Sequence, residues 1–164
     1  LKVLKKLDHK KYFCLFAGDD KNSSYLKKLT GEINNYGLGA SCKIMGHVTD
    51  MNYLYKLSHL VINASVEPEG FGRVVAEAML MGKPVIAFDH GGVSEQISIY
   101  DDNLKIPFNN YEKMAKTINN ILNMPMEPLE KIGQISSSFV KKKFDKEKMI
   151  SKTINVYEKL LTRK

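Results

Sequence analysis

Apolar positions along this chain fall into short runs that alternate with longer amphipathic stretches. Tyr12 to Ala17, Cys42 to Met45, Leu60 to Ala64, Pro84 to Phe88 and Leu104 to Pro107 are compact apolar segments, the mark of buried strands. Between and after them the apolar residues move to helical spacing. Leu26, Leu29 and Ile33 define a helix that Ser23 or Ser24 can cap and Gly37 ends. Asp50 stands where it would cap a helix from Met51 to Leu57. Val74, Val75, Ala78, Met79 and Met81 outline another, stopped by Gly82 ahead of Lys83 and Pro84. Met114, Ile118, Ile121 and Leu122 stripe a helix from Tyr111 to Met124. Two more are expected over 128–143 and 146–161, the second with Met149, Thr153, Val156, Tyr157 and Leu160 on its buried side. Residues 1–11, with Leu1, Leu4 and Leu7 three apart, read as the end of a helix.

Strands alternating with helices predict an α/β fold, a doubly wound parallel sheet with helices on both faces in one Rossmann-like domain spanning residues 1–164. Ligands in such folds lie beyond the carboxyl ends of the strands. Gly18, the turn Gly46-His47-Val48 and the loop after Ala64 all fall on that edge.

The densest chemistry runs from Ser65 to Ile97. A strand ends in a loop with two acids around a proline, Glu67-Pro68-Glu69, followed by Gly70-Phe71-Gly72 and then a helix carrying Arg73 and Glu77. Glycines before a helix bring backbone N–H groups to its positive end without side chains in the way, a setting that favours an anion such as phosphate. Glu77 lies about 7 Å along the helix from Gly72, and Glu69 precedes the turn. Acids on both sides of a phosphate cradle suit a ligand with a sugar at each end, because a carboxylate accepts paired hydrogen bonds from a vicinal diol. A nucleotide diphosphosugar is such a ligand.

Glu69 and Glu77 stand eight apart, with Gly70-Phe71-Gly72 after the first acid, Ala78-Met79 after the second, and Gly82, Pro84 and Val85 closing the unit. This block resembles the donor-binding signature of the retaining family 4 (group 1) glycosyltransferases, whose fold is the two-domain glycosyltransferase B type. The resemblance implies that Glu69 meets the donor sugar hydroxyls as the catalytic-site acid and that Glu77 meets the ribose hydroxyls. Gly70, Phe71, Gly72 and Arg73 belong to the same donor loop. Gly46-x-Val48-x-Asp50 resembles the family's base-binding turn, with backbone at Val48 against the nucleobase. Gly18-Asp19 matches a family strand end, and is equally an ordinary turn. Asp89-His90-Gly91-Gly92-x-x-Glu95 resembles the family's next turn, and the roles of His47, His90 and Glu95 stay open.

By that resemblance the chain is the C-terminal, donor-binding half of a glycosyltransferase B enzyme, without the N-terminal acceptor domain and the domain's first strand. The family's diphosphate-holding Arg and Lys occur on or after that strand. The intact enzyme would transfer a hexose from a UDP- or GDP-sugar to an acceptor hydroxyl, in glycoconjugate or cell-envelope polysaccharide synthesis. This half alone is expected to be inactive, and neither a metal nor another cofactor is expected. Two other readings remain: a nucleotide-sugar epimerase or phosphorylase of the same fold, and a non-catalytic sugar-nucleotide-binding module.

Composition narrows the picture further. A hydrophobic fraction of 43% with 26% charged residues is globular, and no window reaches the length of a membrane span. Cys14 and Cys42 sit in apolar runs and offer neither metal spacing nor a disulfide framework. Cytoplasmic location follows as the expectation, with peripheral attachment at the inner face of a membrane compatible with the net charge of +7. Lysine carries most of that charge, Arg73 and Arg163 being the only arginines. Lys141-Lys142-Lys143 lacks interleaved aromatic residues, which argues against nucleic acid as a partner. Gly70-x-Gly72-x-x-Val75 lacks the third glycine of a nicotinamide fingerprint, and Gly82-Lys83 runs into Pro84 rather than a P-loop helix.

Overall fold

The computed structural model describes residues 1–18 and 24–162. Among these the order is a 3-10 turn (Leu4–Lys6), β1 (Cys14–Ala17), α1 (Ser24–Asn35), β2 (Cys42–Gly46), α2 (Met51–Leu57), β3 (Val61–Asn63), α3 (Arg73–Leu80), β4 (Val85–Asp89), α4 (Val93–Ile97), β5 (Lys105–Pro107), α5 (Tyr111–Leu122), α6 (Met126–Lys143) and α7 (Lys146–Leu161). The expected cap at Asp50 is present, its Oδ1 accepting the Tyr53 N–H at 3.2 Å. Asn110 and Asp145 cap α5 and α7 in the same way. Asp19, Asp20, the alternative cap Ser23 and Arg163 lie outside the described residues.

Every strand pairing is parallel. Cys14 faces Cys42 and Phe16 faces Ile44 across β1 and β2. Val61 faces Val85 across β3 and β4, and Ala87 faces Lys105 across β4 and β5. Where one sheet was expected, the described residues form two, β1-β2 and β3-β4-β5, with no ladder between them.

Side-chain alternation along β4 sorts the helices onto two faces. Ile86 and Phe88 point into a core with Ile33 of α1, Leu38 after it, and Met114, Ile118 and Ile121 of α5. Val85 and Ala87 point the other way, into a core with Val75, Ala78 and Met79 of α3, Val93 and Ile97 of α4, and Tyr55 of α2. Each of β4's first four residues is at most 1% exposed, so this strand is covered on both sides, as its unbroken apolar run requires. Phe16, Ile44 and Ile62 pack against the first of these cores, so both sheets share it.

Three expectations are corrected. The proposed buried side of α7 faces outward: Met149 is 61% exposed, Tyr157 62% and Leu160 60%, and no α7 residue is buried. Helical spacing specifies that an apolar stripe exists, and only a neighbouring surface can cover it. In place of a helix end there is a single 3-10 turn from Leu4 to Lys6, with Leu7 as its C-cap, and Val3 is buried with Leu4 and Leu7. Val93 to Glu95, read as the end of the turn that begins at Asp89, open the short α4 (Val93–Ile97). Among the described residues no helix is long and apolar enough to cross a membrane.

α6 closes over the end of α3 by backbone contact. A Cβ built on Gly133 would fall inside the radius of the Gly82 carbonyl oxygen, and Ser137 Oγ donates to Leu80 O at 2.9 Å. Gly31, within α1, has nothing within 4 Å of the same position. Gly133→Ala is therefore expected to destabilise by about 1 to 3 kcal/mol through overpacking, while Gly31→Ala stabilises by about 0.5 to 1 kcal/mol through helix propensity. Denaturant midpoints of the two variants should move in opposite directions, and a shared sign would contradict this packing.

Candidate functional site

β3 ends at Asn63, a polar residue in an apolar run, and its side chain organises the loop that follows. Asn63 Nδ2 donates to Glu69 Oε1 at 2.9 Å, and Asn63 Oδ1 accepts the Ser65 N–H at 3.1 Å. Both ends of the amide are used. The loop is thereby folded back on the strand, and the Glu69 carboxylate is held at the carboxyl edge of β3.

The loop meets α3 through Gly72, which has φ of +81° and acts as N-cap. Its carbonyl accepts from the Val75 and Ala76 N–H groups at 3.1 and 3.2 Å. No side chain caps α3, and the Arg73 and Val74 amides precede its first intrahelical bonds. An anion is favoured there by those amides and by the helix dipole. A side chain at Gly72 would strain the backbone and bring Cβ to 2.6 Å from Val93 Cγ2.

The turn after β4 locks against this loop. Gly92 N–H donates to Glu69 O at 2.8 Å. A Cβ at Gly91 would lie 2.8 Å from that same oxygen, and one at Gly92 would overlap the Gly70 carbonyl. His90 Nε2 donates to Ser65 O at 3.0 Å, which puts the ring proton on Nε2. Gln96 Nε2 donates to Phe71 O. Gln96 is fully buried, and its Oε1 has no partner among the described residues. Phe71 stays 43% exposed and leans its edge on Phe144, at the end of α6, with ring centres 5.1 Å apart.

Glu77 stands one helix turn beyond Arg73. Its Oε1 pairs with Arg73 at 3.1 Å, and its Oε2 accepts the Tyr55 hydroxyl at 3.1 Å. Arg73's side chain is 85% exposed and that of Glu77 39%, so this carboxylate reaches solvent. Burial first, then the charge and hydrogen bond of Glu77, push the Tyr55 phenol up to about 12.

Glu69, Gly70, Phe71, Gly72, Arg73 and Glu77 thus form one connected group. Gly18 and Val48 form a second, at the ends of β1 and β2, where Gly18 N–H donates to Gly46 O at 3.1 Å. Helix α2 links the two, leaving the Val48 turn and carrying Tyr55 to Glu77. Sequence reasoning missed Asn63, Tyr55, Gln96 and Phe144. The signal for Asn63 was a lone amide at the end of an apolar strand; Tyr55 and Phe144 carried none beyond helix periodicity. A cavity of about 590 Å³ elsewhere, lined by Lys2, Lys6, Tyr36, Phe108 and Tyr111 among others, includes none of these residues. Among the described residues no group of three or more His, Cys, Asp or Glu side chains gathers as metal ligands would.

The family pattern described as "Glycosyl transferases group 1" matches residues 1–139. The chain belongs to this family. It is 30% identical over 151 residues to spore coat protein SA of Bacillus subtilis, covering 87% of this chain and 38% of that protein. The crystal structure of a glycosyltransferase from Rickettsia africae superposes with a TM-score of 0.87 at 30% identity, covering 99% of this chain and 44% of that one. Anabaena Alr3699/HepE, solved in complex with UDP and glucose, superposes with a TM-score of 0.82 at 27% identity, covering 94% and 43%. The chain spans less than half the length of these relatives. Its architecture is the parallel α/β layout of glycosyltransferase B enzymes.

Within this group 1 glycosyltransferase chain, the Tyr55 bond to Glu77 has an alkaline signature. The phenol's value of 10.0 when unfolded rises to about 12 on folding. Folding then favours the protonated phenol, so this contribution is complete below pH 10 and is lost as pH climbs towards 12. Stability should fall more steeply over that window in the wild type than in Tyr55→Phe. Parallel curves from urea unfolding at stepped pH would contradict the assignment.

Proposed function

We propose that this chain is the donor-binding half of a retaining glycosyltransferase, transferring a hexose from a nucleoside diphosphosugar to an acceptor hydroxyl. One observation carries the reading: an uncapped helix N-terminus on the carboxyl edge of the sheet lies between two anchored carboxylates that still reach solvent. In this reading the diphosphate rests on the amides at Gly72, Arg73 and Val74. Glu69 receives the hydroxyls of the donor sugar and acts as the catalytic-site acid. Glu77 receives the ribose, and the base lies along the Val48 turn, with Gly18 beside it. Arg73, exposed and one turn from Glu77, can leave its weak surface pair to meet the diphosphate. The UDP and glucose in the Anabaena relative support a nucleotide-sugar donor. Retention at the anomeric carbon rests on the resemblance to family 4.

Chemically, this half would stabilise the departing diphosphate more strongly than the bound donor. Preorganised amides and cations at the developing charge achieve that without reorganisation during the reaction. The acceptor side belongs to an N-terminal domain, and the separation of the two sheets supports a further strand as well. The β1-to-β2 crossover runs over the face of α1, and the β3-to-β4 crossover over the opposite face of α3. Right-handed crossovers on opposite faces step in opposite directions, so β1 and β3 are the inner edges. Val3, Leu4 and Leu7 lead into β1 over the α1 face, and by the same rule a strand ahead of them would lie between β1 and β3. The sheet order then becomes the doubly wound one, with the donor at its switch point.

Removing the ribose acid tests the reading. Glu77→Ala should weaken nucleoside diphosphate binding by about 1 to 3 kcal/mol, the range for lost hydrogen bonds to a charged group. Calorimetric titration reads this directly, and an unchanged affinity would overturn the ribose role.

A further inference from the structure

The site described above leaves one buried titratable side chain without a role. Tyr55 is 3% exposed, lies on α2 rather than on the donor loop, and spends its hydroxyl on Glu77 Oε2 at 3.1 Å. Resting on the reading of Glu77 as the ribose acid, we propose that Tyr55 is a positioning residue that fixes the Glu77 carboxylate for the ribose diol and thereby sets selectivity for ribonucleotides.

Two groups hold Glu77, and they are unequal. Arg73 reaches Oε1 from a side chain that is 85% exposed. Such an i to i+4 surface pair contributes little and is screened by salt. Tyr55 reaches Oε2 from inside the core that also contains Val75, Ala78 and Met79. A hydrogen bond from a ring already fixed in the core is the stronger constraint, because Tyr55 loses no further side-chain freedom in making it. With its phenol pushed up to about 12, Tyr55 remains a donor throughout the working pH range. It cannot also accept a proton from the ribose through Glu77, so its function is orientation.

The geometry leaves room for a ligand. An ionised carboxylate has about four acceptor positions, of which Arg73 and Tyr55 take one on each oxygen. One position on each oxygen remains, which is the arrangement a vicinal diol needs. Losing Tyr55's hydroxyl frees the carboxylate to rotate about its terminal bond, where no strong rotameric preference restrains it. The diol contact then carries an ordering cost that the wild type has already met on folding. Placement on α2 adds a second consequence. The same short helix begins at the Val48 turn, with Asp50 as its cap, so the base turn and the ribose acid are held in one relation.

The test is a selectivity measurement on the full chain. UDP and GDP share the ribose, so both are titrated against the wild type and the tighter is taken forward with its 2′,3′-dideoxy analogue. Tyr55→Phe should weaken the ribonucleotide about threefold to tenfold and leave the dideoxy analogue within about twofold. Equal losses for both ligands would show a merely structural role and overturn the proposal, as would no loss for either. Glu77→Ala, run in parallel, separates the two claims. If it abolishes the preference for the ribonucleotide while Tyr55→Phe keeps it, only the positioning role fails. If Glu77→Ala itself leaves the preference intact, or neither nucleotide binds, the ribose reading fails and the proposal falls with it. Phe retains the ring in the core, and a thermal midpoint close to wild type verifies that the comparison is between folded proteins. Should Tyr55→Phe fail to fold, 3,5-difluorotyrosine at the same position keeps the ring while acidifying the hydroxyl. Ribonucleotide preference should then decline as pH rises through the fluorophenol's titration, and a flat preference would contradict the proposal.

Discussion

Backbone packed on backbone, where Gly91 and Gly92 lie against Glu69 and Gly70, is the constraint from which the candidate site follows. The Gly92 N–H to Glu69 O bond of 2.8 Å depends on bare backbone at Gly91 and Gly92, where a Cβ would run into the Glu69 and Gly70 carbonyls. Around it His90, Gln96 and Asn63 each satisfy a polar group of the same loop. A loop held at so many points presents its carboxylate and the following helix end in one geometry. Preorganisation of this kind is what a site must have if it is to stabilise charge that appears only during reaction.

The two apolar cores serve that seam from either side of β4. One anchors β4 and β5 through α5, and the other seats α3 and α4 side by side so that Val93 lies directly under Gly72. Position along α3 is fixed at its far end too, where Gly133 of α6 meets Gly82. A Cβ at Gly72 or Gly133 would collide with Val93 or with the Gly82 carbonyl, so packing and site geometry are one problem here. Phe71, half exposed yet leaning on Phe144, ties the loop to the corner between α6 and α7.

Much of this was legible in the amino-acid order because it depends on short-range rules. Unbroken apolar runs such as Val85 to Phe88 need covering on both faces, and Asp50 before an amphipathic stretch is a cap. The spacing of Glu69 and Glu77 about a glycine turn marked the residues that the candidate site brings together. What stayed hidden depends on partners far apart in the chain. Tyr55 meets Glu77 across 22 positions and Gln96 meets Phe71 across 25. Nothing local distinguishes either side chain from a core residue. The α7 stripe failed for the opposite reason: its period is clear, and its exposure depends on which surface lies opposite. The split into two sheets is likewise a property of edges, which periodicity does not encode.

A crystal structure of the chain soaked with UDP or GDP tests the central claim most directly. The account predicts the terminal phosphate within hydrogen-bond distance of the amides at Gly72 to Val74, with both ribose hydroxyls on Glu77. A phosphate bound elsewhere, or a ribose that leaves Glu77 engaged only with Arg73 and Tyr55, would contradict it.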